Sequence, residues 1–403
     1  MEYLIASRRG RPGDDPIFAL NAEAKRRAAA GEDVINATIG ALLHDDGRLA
    51  VMPSVVETLA KVAPEIGAGY APIPGRDDFR KAVIDDLLGG TPMHGWAASV
   101  ATPGGSGALR MALDDFLDVG QSALTTSYFW GPYRTLADEA GRALSTFRMF
   151  HEGRFDTAAL DQELTRLMKE QGRALLFLNT PCHNPTGYSL DESEWKDTTA
   201  IIEKHAAQGP LVVLVDAAYA YYAPEALKVA LAALPAIAEK TLVLFAWSAS
   251  KSFAQYGLRI GALVAVTPNA EERTRINNAM TFSCRGLWSN CNAGGQAAIA
   301  MMLENPELRA RAAAERQTLV DMLARRVDKW NALAGKHPNI VYPRYDGGFF
   351  TTVFCDDPQG AAAALRAKGI YVVPTAGALR VAMCAVNERQ IERIVAGLAD
   401  VFG

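Results

Sequence analysis

Four short apolar runs in the middle of the chain limit its fold more than any other feature. Leu175–Leu178, Leu211–Val215, Thr241–Ala246 and Gly261–Val266 contain no charged residue and have the length of single strands. Continuous apolar runs suit strands covered on both faces. The segment Asp191–Gln208, between the first two, is patterned as a helix. Strand–helix alternation of this kind predicts an α/β domain with a largely parallel sheet flanked by helices. The last third reads differently. Glu307–Leu333 is a long amphipathic helical pattern, Gly348–Phe354 and Leu379–Met383 are short strand candidates, and Gln359–Lys368 and Glu388–Phe402 look helical. That mixture predicts a second, smaller α+β domain.

With 403 residues, 49% of them hydrophobic, the chain can bury a large core. A net charge of −4 without long like-charged blocks gives no reason to expect a nucleic-acid partner. The five cysteines are odd in number and form no C-x-x-C pair, which argues against a disulfide framework or a structural zinc. The N-terminus has no apolar core of a secretory signal, and no run approaches the roughly 20 apolar residues of a membrane span. A soluble cytoplasmic protein with reduced thiols and no metal is expected.

What ends each run carries the chemistry. Leu175–Leu178 leads into Asn179 and then Cys182-His183-Asn184-Pro185-Thr186-Gly187. Leu211–Val215 leads into Asp216 and Tyr219, and Thr241–Ala246 into Ser248-Ala249-Ser250-Lys251. Ligands of parallel sheets bind beyond the carboxyl ends of the strands, so these groups should meet in one crevice. A lysine there can form an imine with an aldehyde. A carboxylate can pair with a protonated ring nitrogen. An asparagine amide and a tyrosine hydroxyl can both bond a phenolate oxygen. The stretch Thr102–Leu113 adds Gly104, Gly105, Ser106 and Gly107 ahead of a helical pattern, a candidate anion cup at a helix N-terminus. Ser248, Ser250 and Arg259 add phosphate donors. Each residue alone has an ordinary reading as a cap, a turn or a surface group. Jointly they describe a site for pyridoxal 5′-phosphate (PLP).

The chain resembles the class I aminotransferases of PLP fold type I, in particular the aspartate and aromatic group. The matching residues are Asp15-Pro16-Ile17-Phe18, Ile35–Gly40, Asp45-Asp46-Gly47, Tyr70 with Pro72–Gly75, Gly104–Gly107, Trp130, Asn184-Pro185-Thr186-Gly187, Asp216 with Tyr219, Ser248-x-Ser250-Lys251, Arg259-Ile260-Gly261, Arg285 with Ser289-Asn290, and Arg380. The resemblance implies a large PLP-binding domain over 46–291 and a small domain made of 1–45 and 292–403. It implies that Lys251 holds the cofactor and shuttles a proton, and that Asp216 pairs with the ring nitrogen. Tyr219 and Asn184 would bond the ring oxygen, and Trp130 would stack on the ring. Gly105, Ser106, Gly107, Ser248, Ser250 and Arg259 would hold the phosphate. Tyr70 would reach the neighbouring subunit's phosphate, so a homodimer with shared sites is implied. Arg380, helped by the backbone at Gly40, would clamp the substrate α-carboxylate, with Trp130 and Asn184 also at the substrate. Two departures stand out: Tyr133 occupies a place where the family often has histidine, and Cys291-Asn292 replaces a Pro-Pro pair.

Arg285 aligns with the arginine that takes a distal carboxylate, which implies a dicarboxylate such as 2-oxoglutarate as acceptor. Aromatic aminotransferases keep this arginine, so aspartate and aromatic amino acids both stay open as donors. Ile17, Phe18, Ile39 and Trp288 either line the pocket or simply pack. The expected activity is ping-pong transamination. The alternatives are a PLP-dependent C–S lyase or decarboxylase of the same fold, and a PLP-binding sensor domain. The last is disfavoured, because the chain begins almost directly with the aminotransferase-like segment.

Overall fold

The computed structural model describes residues 3–13 and 16–403, so Asp15 of the N-terminal motif lies outside the described residues. Two units are distinguished. The larger comprises Ala50–Arg325 and Pro343–Phe349; the smaller comprises the chain up to Leu49, Arg326–Tyr342 and Phe350–Gly403. The resemblance implies a boundary at 291, whereas by compactness residues 292–325 fall with the larger unit. There the helix Ala293–Glu304 packs on the helices Pro53–Ala60 and Asp77–Leu88.

The larger unit is built on seven strands: β1 (Ala97–Pro103), β2 (Ser122–Thr126), β3 (Ala143–Phe147), β4 (Ala174–Asn179), β5 (Leu211–Asp216), β6 (Leu242–Ser248) and β7 (Ile260–Val266). Their order across the sheet is β1-β7-β6-β5-β4-β2-β3. Neighbours from β6 through β3 pair parallel, while β7 runs antiparallel to both β6 and β1. Every residue of β4, β5 and β7 is buried, as continuous apolar runs predict. Leu175, Phe177, Leu214, Leu244 and Leu263 join Leu109 and Leu113 of the helix Gly104–Phe116 in one core. Burying each such side chain stabilises the fold by about 1.5–3 kcal/mol before the entropy cost of ordering.

Local signals set the crossover helices. Asp156 accepts the Ala159 N–H at the start of Thr157–Gln171, and Gly172 ends that helix at φ +72°. Asp191 and Glu194 form a capping box on Glu192–Ala206.

The smaller unit contains a three-stranded antiparallel sheet in the order Phe350–Phe354, Ala378–Ala382, Val373–Thr375. Ile35–Asn36 pairs parallel with Ile370–Tyr371. The helices Pro358–Ala367 and Glu388–Phe402 fall where the sequence predicts them.

Candidate active site

The strand register gathers the polar strand ends on one edge of the larger unit. Asn179 lies opposite Asp216, and Asp216 opposite Ala246. The antiparallel β7 turns its beginning toward the same edge, with Gly261 opposite Ser248 and Ile260 opposite Pro103. Arg259 therefore reaches the start of the helix Gly104–Phe116.

Asp216 is buried. One carboxylate oxygen accepts the Tyr133 hydroxyl at 2.6 Å and the other the Ala218 N–H at 3.2 Å. Burial pushes its pKa up, and the two donors pull it back. Asn179 ties the neighbouring strand ends together. Its Nδ2 donates to Asp216 O at 3.0 Å, and its Oδ1 accepts the Asn184 N–H at 2.6 Å. The Asn184 side chain donates to the Tyr219 hydroxyl at 3.4 Å, and its Oδ1 is buried with no hydrogen-bond partner among the described residues.

Lys251 is half-buried in the short turn of helix Ala249–Ser252. Its Nζ lies 4.4 Å from the Tyr256 ring centroid, 5.3 Å from Phe349 and 5.6 Å from Tyr219. The Tyr222 hydroxyl donates to Lys251 O at 3.2 Å. Trp130 is half-buried and meets Tyr133 edge-on at 5.8 Å.

The residues expected to form an anion cup lie close together. Gly104 has φ +71°, and a Cβ there would lie 2.5 Å from Arg259 Nη2. Only glycine admits the guanidinium this close to the backbone. Arg259 donates to Ser250 Oγ at 3.1 Å and to Tyr256 O at 2.9 Å. Ser248 Oγ accepts the Ser250 N–H at 3.2 Å. Gly105 faces Ser248, with Ser106 beside it on the first turn. No side chain caps this helix and no acidic residue sits in its first turn, so the positive end of its dipole meets no carboxylate there. Gly107 is buried, and a Cβ there would run into Pro103 and Thr102, so its lack of a side chain serves the strand-to-helix turn.

Each remaining expected residue has its own setting. Tyr70 is 94% exposed. Arg285 is exposed in the last turn of the helix Ala270–Leu287 and donates to Ser289 Oγ at 2.7 Å. Arg380, Gly40 and Ile17 belong to the smaller unit. There Arg380 is buried on the central strand, donates to Thr38 O at 2.6 Å and stacks over Phe350 at 4.5 Å. A Cβ at Gly40 would meet that same Phe350 ring at 2.6 Å. Ile17 is half-buried on the helix Pro16–Ala29. Sequence reasoning missed Tyr256, Tyr222 and Phe349 around Lys251. Tyr222 closes the one-turn 3-10 helix Ala220–Tyr222, and Tyr256 and Phe349 lie outside helices and strands, so none belongs to a periodic pattern that marks a face.

The donor set of the larger unit fits PLP. A lysine amine, a buried carboxylate, an asparagine amide with unspent hydrogen bonding and a glycine cup facing an arginine match its aldehyde, ring nitrogen, ring oxygen and phosphate in turn. Among the described residues no group of three His, Cys, Asp or Glu could hold a metal.

Comparisons with known proteins agree. Residues 32–398 match the family model for aminotransferase class I and II. The aspartate aminotransferase of Pseudomonas aeruginosa is 27% identical, over 96% of this chain and 97% of that protein. The aromatic-amino-acid aminotransferase of the same organism is 29% identical, over 76% of this chain and 75% of its own. The crystal structure of an aminotransferase from Anaerococcus prevotii superposes with a TM-score of 0.93 at 31% identity, each chain fully covered. An aromatic-amino-acid aminotransferase from Burkholderia pseudomallei, covalently bound to pyridoxal phosphate, gives a TM-score of 0.85 at 25% identity with both chains fully covered. The chain therefore belongs to the class I and II aminotransferases and is a PLP-dependent transaminase.

Proposed function

We propose that the enzyme exchanges an amino group between aspartate or an aromatic amino acid and a 2-oxo acid such as 2-oxoglutarate, with Lys251 as the cofactor-bearing base. The observation that carries this reading is the common sheet edge, which sets Lys251, the buried Asp216 and the Arg259–Gly104 cup at the ends of adjacent strands. When bound, the cofactor supplies an aldehyde for the lysine and an electron sink for the substrate Cα. Asp216 holds the proton on the ring nitrogen. Tyr219 and Asn184 bond the ring oxygen, and Trp130 covers a ring face. Gly105, Ser106, Gly107, Ser248, Ser250 and Arg259 hold the phosphate. Lys251 Nζ moves the proton off the substrate Cα.

Arg380 takes the α-carboxylate with help from the Gly40 backbone, and Arg285 takes the distal carboxylate of a dicarboxylic substrate. Ile17, Asn184 and Trp130 shape the substrate side. In the homodimer that belongs to this proposal, the exposed Tyr70 reaches the partner's phosphate. Among the described residues no helix is long and apolar enough to cross a membrane, and cytoplasmic residence belongs to the same proposal.

The test mixes enzyme, amino donor and 2-oxoglutarate. Glutamate should form in step with the new 2-oxo acid. Pyruvate or ammonia without glutamate would reject the exchange.

A further inference from the structure

Tyr133 is more than packing beneath the site. Its ring is fully buried and edge-on to Trp130 at 5.8 Å and to Phe177 at 5.3 Å. It is the second residue of the helix Pro132–Glu139, and its N–H donates to Trp130 O at 2.9 Å. The ring is thus held from the backbone side and from two ring edges. Its hydroxyl ends 2.6 Å from Asp216 Oδ2. The other donor to this carboxylate, the Ala218 N–H, is longer at 3.2 Å.

We propose that Tyr133 is a positioning residue: its neutral hydroxyl fixes Asp216 and holds it as the carboxylate that meets the cofactor's ring nitrogen. The proposal rests on the assignment of Asp216 to that nitrogen. Burial and the adjacent carboxylate push the phenol's own pKa well above its ordinary range. Tyr133 therefore keeps its proton and remains a donor at every working pH. The next titratable group to act on it is Tyr219. The phenol thus keeps the clamp uncharged and donating as the pH changes.

The consequence follows from proton sharing. Without the hydroxyl, Asp216 loses its shorter hydrogen bond and becomes more basic. The proton between Asp216 and the ring nitrogen then shifts toward Asp216. The ring withdraws fewer electrons, so the lysine-bound nitrogen becomes more basic.

The test is a pH titration of the visible band of the cofactor-saturated enzyme, comparing wild type with Tyr133→Phe and Phe177→Leu. Tyr133→Phe removes one oxygen and keeps the ring. Phe177→Leu loosens the packing on Tyr133 and keeps the donor. The Tyr133→Phe transition should move up by about half a pH unit or more, allowing for attenuation across the ring, while Phe177→Leu stays at the wild-type value. No shift in Tyr133→Phe, or an equal shift in both variants, overturns the proposal. If the wild type shows no titrating visible band, the Lys251 and Asp216 assignments fail as well. An unshifted Tyr133→Phe beside a normal wild type removes only the role of Tyr133.

Discussion

Acid should weaken the enzyme through His183, and one substitution should remove the effect. His183 is buried in the turn that carries Asn184. Its Nδ1 lies 2.8 Å from Thr186 Oγ1 and its Nε2 3.2 Å from Thr126 Oγ1. Thr126 gives its own hydrogen to Tyr128 O. The network thus assigns the ring proton to Nε2 and leaves Nδ1 to accept from Thr186. A second proton would create a cation in a site closed to solvent, and burial pushes the imidazole down to about 3.

The sign follows from the lowered value. Below the ordinary value of 6.5 the unfolded chain takes up a proton that the folded chain refuses, so stability falls with pH until about 3. The slope approaches about 1.4 kcal/mol per pH unit, which gives a loss of about 2 kcal/mol between about pH 8 and about pH 5. The chain has six histidines, so the informative quantity is the difference between wild type and His183→Gln. Urea unfolding of the cofactor-saturated proteins across this range measures it. Wild type should lose about 2 kcal/mol more than the variant on acidification. A difference that does not change with pH refutes the neutral buried imidazole.

Two further outcomes concern the arginines. Arg259→Ala should weaken PLP binding to the apoenzyme by about 10- to 100-fold, the worth of a charged hydrogen bond or two; unchanged affinity in a PLP titration removes Arg259 from the cup. Arg285→Gln should lower kcat/KM for dicarboxylates by about 30-fold or more and for aromatic substrates only slightly; equal losses remove Arg285 from the substrate pocket.

The parts legible in the sequence are those fixed by neighbours along the chain. Runs such as Leu211–Val215 announce strands, and the polar residue ending each run announces the edge where Asp216 and Ser248 sit. The capping box of Asp191 and Glu194 likewise marks its helix within four residues. The rest depends on distant partners. Gly261–Val266 reads the same in either direction, yet its antiparallel course is what carries Arg259 to Gly104. The bond between Tyr133 and Asp216 joins residues 83 apart in sequence, so only its position, not its partner, can be read locally. The strand read as Gly348–Phe354 starts at Phe350, because Gly348 turns at φ +88°, where a Cβ would run into Cys182.

The most direct measurement is reduction of the cofactor-loaded enzyme with borohydride, followed by peptide mapping. The pyridoxyl phosphate mass should appear on the peptide carrying Lys251, and Lys251→Ala should lose both the label and the visible absorbance. A label on another lysine, or a visible band that survives in Lys251→Ala, would contradict the assignment on which the site is built.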